Sequence, residues 1–318
     1  MKPKVSIIIP CHKIVSYARE SIAHCLKLDY PDFEILVLPD SESNLDFPKV
    51  KIIPTGPIGP AEKRDLAAGQ SNGEFLAFID DDAYPDKLWL KKAMRHFQEE
   101  DIAAVGGPGI TPANDGLLQK ASGLVFSSLM GSGTNRFRNS PKKQREIDDY
   151  PSCNFIIRKS VFQQVGGFDT HFWPGEDTKL CLEVTGQLHK RIIYDPQVLV
   201  YHHRRKLFIP HLEQVWNYAV HRGYFAKKFP RTSLKALYFL PSVFFLGIVF
   251  GIITSFLNPI IRLLFLSALA FYLVLALVSS FEPKDIRMSL LVFSGIIATH
   301  LTYGIGFIKG LLTKELIR

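Results

Sequence analysis

Short apolar runs of strand length alternate with amphipathic stretches over the first 232 residues, and long apolar stretches take over after them. Val5-Ser6-Ile7-Ile8-Ile9-Pro10 is a β-branched, strand-like run; residues 17–28 then carry apolar side chains at helical spacing, and Phe33-Glu34-Ile35-Leu36-Val37-Leu38 returns to the strand pattern. Residues 50–53 predict a short strand, 61–70 a helix, and 75–79 a further strand. This alternation predicts an α/β domain built on a mostly parallel sheet with helices on its faces. Such sheets bind ligands beyond the carboxyl ends of their strands. The regularity stops at Gly106-Gly107-Pro108-Gly109. Residues 135–149, with Arg136, Arg138, Lys142, Lys143 and Arg145, read as a mobile basic loop, either solvated or in contact with phosphates. Gly166-Gly167-Phe168-Asp169 then leads to Pro174-Gly175-Glu176-Asp177 and a helix running through Glu183.

From Lys235 to Leu312 the chain changes character. Residues 236–257, 260–281 and 288–312 are each apolar around their whole circumference and long enough to cross a bilayer, with Asn258-Pro259 and Glu282-Pro283-Lys284-Asp285 as polar turns between them. Pro241, Gly247, Gly251 and Gly295 are tolerated in such helices. Arg262 sits near a span end, where it can snorkel to the interface. Ahead of the first stretch, Leu212, Val215, Trp216 and Ala219 fall at helical spacing. They read either as an interfacial amphipathic helix or as core beneath the preceding domain.

The formal net charge of +8 is explained by the basic residues flanking the apolar tail, so nucleic acid is not expected as a partner. Lys227, Lys228, Arg231 and Lys235 precede the first stretch, and the positive-inside rule places the domain before them in the cytoplasm. Lys309, Lys314 and Arg318 pull the C-terminus to the same side, which conflicts with three spans: either one span is re-entrant or the tail charge is overridden. Residues 5–9 are too short for a signal-peptide core and break at Pro10. Cys11, Cys25, Cys153 and Cys181 show no close pairing and are expected as reduced thiols.

Candidate chemistry concentrates at carboxylates. Asp80-Asp81-Asp82 ends the apolar run at residues 75–79, and Asp40 follows the strand at residues 33–38. Carboxylates packed this closely repel one another, and a divalent cation with oxygen ligands is the usual relief; a solvated acidic turn is the alternative. Glu176-Asp177 at a helix start also fits ordinary capping.

Taken in order, the strand Val5 to Pro10, Asp40, Glu62-Lys63-Arg64-Asp65, the aspartate triplet, Gly167-Phe168-Asp169 and Glu176-Asp177 resemble an inverting glycosyltransferase of family 2 with the glycosyltransferase A-type, Rossmann-like fold. The resemblance covers about residues 1–205, followed by an amphipathic connector at 206–234 and a transmembrane domain at 235–318. It implies a donor side formed by Pro10 and Asp40, with Asp40 on the nucleoside of a sugar nucleotide and Asp80 near its ribose or base. Lys63 or Arg64 would lie near the nucleotide. Asp82 would ligate Mn²⁺ or Mg²⁺, and Asp81 would be a bystander. Asp177 would be the general base, with Glu176 orienting it or the acceptor. His202 would bind metal or diphosphate, with its neighbour His203 as the competing candidate.

The pattern departs from the family at His12-Lys13, at Pro39 before Asp40, and at His203-Arg204-Arg205-Lys206-Leu207, which lacks the Gln-x-x-Arg-Trp signature of processive synthases. The expected activity is therefore transfer of a single sugar, in cell-surface glycan synthesis, to a lipid-linked acceptor, either a polyprenyl phosphate or a polyprenyl-diphosphate oligosaccharide. An inactive sugar-nucleotide-binding subunit and a non-lipid acceptor are the alternatives. Arg204, Arg205, Lys227 and Lys228 are candidates for the lipid phosphate, or attract anionic headgroups. Expected partners are the nucleotide sugar, the lipid-linked acceptor and membrane lipids, and a homo-oligomer is compatible with the sequence. The expected location is a multi-pass position in the cell membrane with the catalytic domain cytoplasmic.

Overall fold

The computed structural model describes residues 4–172, 175–281 and 285–316. Of the positions read above, Pro174, Glu282-Pro283-Lys284 and Arg318 lie outside the described residues. The chain forms two compact units: the residues up to Pro112 together with Ser140–His203, and Ala113–Asn139 together with the chain from Arg204 onward. The sequence division at residue 205 is a single cut, whereas the units interleave. Ala121 and Val125 join the second unit because their helix, Leu117–Ser127, packs in one cluster with Met288, Val292 and Ile296.

In the first unit the strands are β1 Val5–Pro10, β2 Phe33–Leu38, β3 Val50–Ile52, β4 Phe75–Ile79, β5 Ala83–Pro85, β6 Ile102–Gly106, β7 Gly109–Ile110, β8 Arg145–Ile147, β9 Asn154–Arg158, β10 Arg191–Tyr194 and β11 Val200–His202. Eight of them form one sheet in the order β3-β2-β1-β4-β9-β6-β10-β8. β1 pairs parallel with β2 and β4, and β2 parallel with β3, while β9 runs antiparallel between β4 and β6. Helices cover both faces, so β1 and β4 are buried along their whole length. That is why they read as continuous apolar runs rather than alternating ones. A small second sheet, β5-β11-β7, sits at the end of β4.

The helix expected at 17–28 spans Ser16–Cys25, and its last turn closes where Leu28 N donates to Cys25 O at 3.2 Å. The helix expected at 61–70 is Pro60–Gln70, with proline at its first turn. The basic loop expected at 135–149 is a correction: Gly133–Arg138 forms a 3₁₀ helix and β8 lies within the stretch. The open edge of β10 recruits this segment, Ile147 standing opposite Ile192 while Arg191 Nε donates to Glu146 Oε1 at 2.6 Å.

In the second unit, Ala236–Ser255, Pro259–Ser280 and Ile286–Leu312 are helices long and apolar enough to cross a membrane. Asn258 caps the second, its Oδ1 accepting from Ile260 N at 2.7 Å, and Asp285 caps the third, accepting from Arg287 N at 2.8 Å. The connector is the helix Ile209–Lys228. Its face of Val215, Ala219 and Gly223 is covered by the third apolar helix, a partner that neither sequence reading named. Gly223 permits the approach, since a Cβ there would stand 2.2 Å from Phe307 O.

Candidate active site

Asp80, Asp81 and Asp82 turn out of β4 directly into β5, with Ala83 N donating to Asp80 O at 3.1 Å. β11 pairs antiparallel with β5 and sets His202 opposite Ala83. This pairing joins positions about 120 residues apart in sequence, and through it Asp80, Asp82 and His202 each offer one ligand atom, all within 4.8 Å of one another. His202 Nε2 lies 3.1 Å from Asp82 Oδ1. Two carboxylates and an imidazole suit a divalent cation of the Mn²⁺ or Mg²⁺ kind, so the residues present fit such an ion. His203 faces the other way. It is buried, stacks on Tyr17 at 4.2 Å between ring centroids, and places Nε2 3.0 Å from Glu20 Oε2. Of the two histidines left open by the sequence, His202 is the one the structure brings beside Asp80 and Asp82. Asp81 stands outside the cluster, its carboxyl pushed up to about 7 by burial first and by Asp82 and Asp80 next.

Lys63 and Arg64 occupy successive positions of the helix Pro60–Gln70 and are both buried, an arrangement that requires partners for both charges. Lys63 Nζ donates to Cys11 O at 2.6 Å and to Asp40 Oδ1, and His12 Nδ1 meets Asp40 Oδ2. The Lys63 ammonium foremost, helped by His12, holds the Asp40 carboxyl below its ordinary range. Pro10 is buried at the end of β1, opposite Leu38. Beside Asp40 a cleft of about 380 Å³ opens between Lys13, Arg19, Pro39, Glu42 and Asn44.

Arg64 connects the two acidic sites. Its Nη2 donates to Asp80 Oδ1 at 2.6 Å and its Nη1 to Glu176 Oε1 at 3.2 Å. The sequence reading set Asp80 toward the nucleoside; in the structure Asp80 is bonded to Arg64 and lies within the cluster of Asp82 and His202. The guanidinium also lies 5.8 Å from the centre of the Phe168 ring. Phe168 is fixed by Asp65, whose Oδ1 accepts from Phe168 N at 2.9 Å, and burial pushes the Asp65 carboxyl up to about 6. The loop reaches this position through Gly166 and Gly167, both at positive φ, and a Cβ on Gly167 would come within 2.7 Å of Asp65 Oδ1.

Glu176 and Asp177 begin the helix Glu176–Gly186. Its start is pinned by Thr178 Oγ1, which donates to the buried Asp149 at 2.8 Å. Glu176 is buried, bonded by Arg64 and by Gly175 N at 2.9 Å, so both its oxygens are engaged. Asp177 is only partly buried and accepts from Thr178 N at 2.7 Å through Oδ1. An acidic side chain already held by a guanidinium is a poor proton acceptor, whereas Asp177 keeps the accessibility a base requires.

Sequence reasoning missed His12 as a partner of Asp40, and Asp65 and Phe168 as the support beneath Arg64. Two adjacent basic residues on a helix next to an acidic one were the signal available for the second group. Arg204 and Arg205 belong to the second unit. Arg204 lies over the Phe126 ring at 5.9 Å, and Arg205 is exposed. Lys227 donates to Thr313 O at 2.6 Å, and Lys228 is exposed at the end of its helix.

The family described as Glycosyl transferase family 2 matches residues 6–166. A pre-mycofactocin glycosyltransferase of Mycobacterium tuberculosis is 32% identical over 151 residues, 47% of this chain and 31% of that protein. The chain thus spans about a third of that relative's length. A dolichyl N-acetyl-alpha-D-glucosaminyl phosphate 3-beta-D-2,3-diacetamido-2,3-dideoxy-beta-D-glucuronosyltransferase of Methanococcus voltae is 20% identical over 327 residues, covering 97% of each chain. Among solved structures, the mannosyltransferase PcManGT from Pyrobaculum calidifontis, in complex with GDP-Man and Mn²⁺, superposes with a TM-score of 0.65 at 17% identity, over 99% of this chain and 89% of that one. At that identity the likeness concerns the fold.

Proposed function

Since the chain belongs to glycosyl transferase family 2, we propose that it moves one sugar, with inversion, from a nucleotide-sugar donor to a lipid-linked acceptor in the membrane. The acceptor class is a polyprenyl phosphate or a polyprenyl-diphosphate oligosaccharide, and the product serves cell-surface glycan synthesis. The observation that carries this reading is one chain holding both the Asp80, Asp82 and His202 cluster and helices apolar enough to span a bilayer. The Methanococcus voltae relative supports it, because its name states a dolichyl phosphate-linked substrate and the similarity runs nearly end to end.

In this reading the cleft beside Asp40 takes the nucleoside, with Asp40 held in its ionised form by Lys63 and His12. Asp80, Asp82 and His202 would hold a divalent cation, as the Mn²⁺ of the Pyrobaculum calidifontis complex suggests. Bound there, such an ion would supply Lewis-acid stabilisation of the charge that grows on the departing nucleoside diphosphate. Asp177 accepts the proton of the acceptor hydroxyl as its oxygen attacks the anomeric carbon from the face opposite the leaving group. Glu176, fixed by Arg64, orients the acceptor rather than taking its proton. Arg204, Arg205, Lys227 and Lys228 are candidates for the acceptor's phosphate. The domain arrangement that goes with this is a catalytic domain to residue 205, a connector at 206–234 and membrane helices beyond it, with the catalytic domain cytoplasmic.

The test supplies membranes holding the chain with a panel of labelled sugar nucleotides and Mn²⁺ or Mg²⁺, then separates lipid from aqueous products. Label in the organic phase, abolished by chelation, is the expected result. Label only on a water-soluble acceptor would replace the lipid with a non-lipid acceptor.

A further inference from the structure

Three spans would leave the two ends of the second unit on opposite faces of a membrane, yet both ends carry lysines: Lys227, Lys228 and Lys235 before the first apolar helix, Lys309 and Lys314 at the end of the third. We propose that Ile286–Leu312 is not a span. It lies in the lipid interface, across the near ends of a hairpin formed by Ala236–Ser255 and Pro259–Ser280, and the chain crosses the membrane twice.

Contacts along these helices fix the geometry. The first two pair antiparallel: Phe244 stacks on Tyr272 with centroids 4.0 Å apart, and a Cβ on Gly251 would touch the Phe265 ring at 2.2 Å. The start of the first helix and the end of the second therefore share one side, the near side. The third helix begins at Ile286, after the second ends at Ser280. Its His300 Nδ1 meets Tyr272 Oη at 2.9 Å; further on, Ser242 Oγ donates to Gly304 O at 3.0 Å and Phe239 packs on Phe307 with ring centroids 4.8 Å apart. As the third helix advances from 300 to 307, its contact on the first retreats from Phe244 to Phe239, toward the near side. A helix crossing to the far side would move the other way, toward Ser255. The end of the third helix closes beside the connector, where Lys227 Nζ donates to Thr313 O.

The connector supplies an independent reason. It runs parallel to the third helix: His211 Nε2 meets Thr299 Oγ1 at 2.9 Å, a Cβ on Gly306 would touch Ala219 at 2.9 Å, and a Cβ on Gly310 would reach Val220 O at 2.1 Å. From Thr299 to Thr313 the pair extends ~21 Å at about 1.5 Å per residue, most of a hydrocarbon core of about 30 Å. The connector exposes Glu213, Asn217 and Lys227 along its outer side. Were the third helix a span, the Glu213 and Asn217 side chains would face acyl chains. In the interface they face water and headgroups. There Ile305 and Leu312, both exposed, provide the apolar side, while Lys309 lies 5.2 Å over the Trp216 ring, a pairing suited to the headgroup level. Burial agrees: 39% of the apolar window of the third helix is covered by protein, against 6% in each of the other two.

The test places an epitope tag at the C-terminus, at the N-terminus or in the 256–258 turn of otherwise full-length chains, and measures antibody access in sealed vesicles of both orientations. The C-terminal and N-terminal tags are expected on one face and the 256–258 tag on the other. A C-terminal tag on the same face as the 256–258 tag restores three spans and overturns the proposal, as does access to the 256–258 tag from both faces. Should the internal tag block insertion, Asn258→Cys in a Cys153→Ser background, labelled with a membrane-impermeant maleimide, reports the same face.

Discussion

Arg64 is the point at which the site is most exposed to test. Its side chain is 5% exposed, and it bonds Glu176, whose side chain is equally buried, and Asp80, which is 31% exposed. Replacing it with methionine keeps much of the volume and removes the cation. Glu176 is then left charged and buried without its partner, a situation that costs about 3–5 kcal/mol when one member of a buried pair is deleted. The bond to Asp80 adds little, because water screens that carboxylate, so the lower end, about 3 kcal/mol, applies. For a domain of this size the corresponding fall in Tm is roughly 6–12 °C. The assay is thermal unfolding of purified R64M, E176Q and the double variant. Because E176Q removes the charge that R64M strands, the double variant should unfold higher than R64M alone by a coupling of about 1 kcal/mol or more. Equal stability of R64M and the unaltered chain, or additive losses in the double variant, would refute the claim that Arg64 holds Glu176 by charge. Arg64→Lys should fall between, since a single ammonium cannot reach both carboxylates in the way the guanidinium fork does.

Asp177→Asn should reduce turnover by ~10²–10⁴-fold, the range of a lost general base, while leaving Mn²⁺-dependent donor binding in calorimetry unchanged. His202→Ala should raise the Mn²⁺ concentration for half-maximal activity by roughly 10-fold or more, whereas His203→Ala should lower thermal stability and leave the metal titration in place. His211, buried between Ser122 and Thr299, has its pKa lowered from 6.5 to about 4 by desolvation first and by Arg204 next. Its unfolded form therefore binds a proton that the folded form refuses. Stability should be full above pH ~6.5 and decline as pH falls toward 4, by on the order of 3 kcal/mol, and denaturant titrations of the chain beside His211→Gln should show that slope only in the former.

The sheet and the apolar helices were legible because buried parallel strands and all-round apolar helices announce themselves by composition. β1, β2 and β4 match the residues read from their patterns. β8 was not legible: its three residues, Arg145–Ile147, carry no pattern of their own and become a strand only because β10 offers an open edge. For the same reason Leu117–Ser127 gave no hint that it packs with Met288 and Val292. In the site, the residue types were readable and their partners were not. Asp82 and His202 meet through the β5–β11 pairing, and Asp80 and Glu176 meet through Arg64, none of which spacing along the chain encodes. The third apolar helix is as long and apolar as its composition predicts, but its contacts with the connector and with Phe239 and Phe244 could not be read from composition.

The most direct measurement of the central claim is the anomeric configuration of the sugar in the lipid fraction after reaction of membranes holding this chain with an α-linked nucleotide sugar. Inversion through Asp177 predicts a β-linked, lipid-extractable product, formed by the unaltered chain and missing with Asp177→Asn. An α-linked product, or an equal yield from Asp177→Asn, would contradict it.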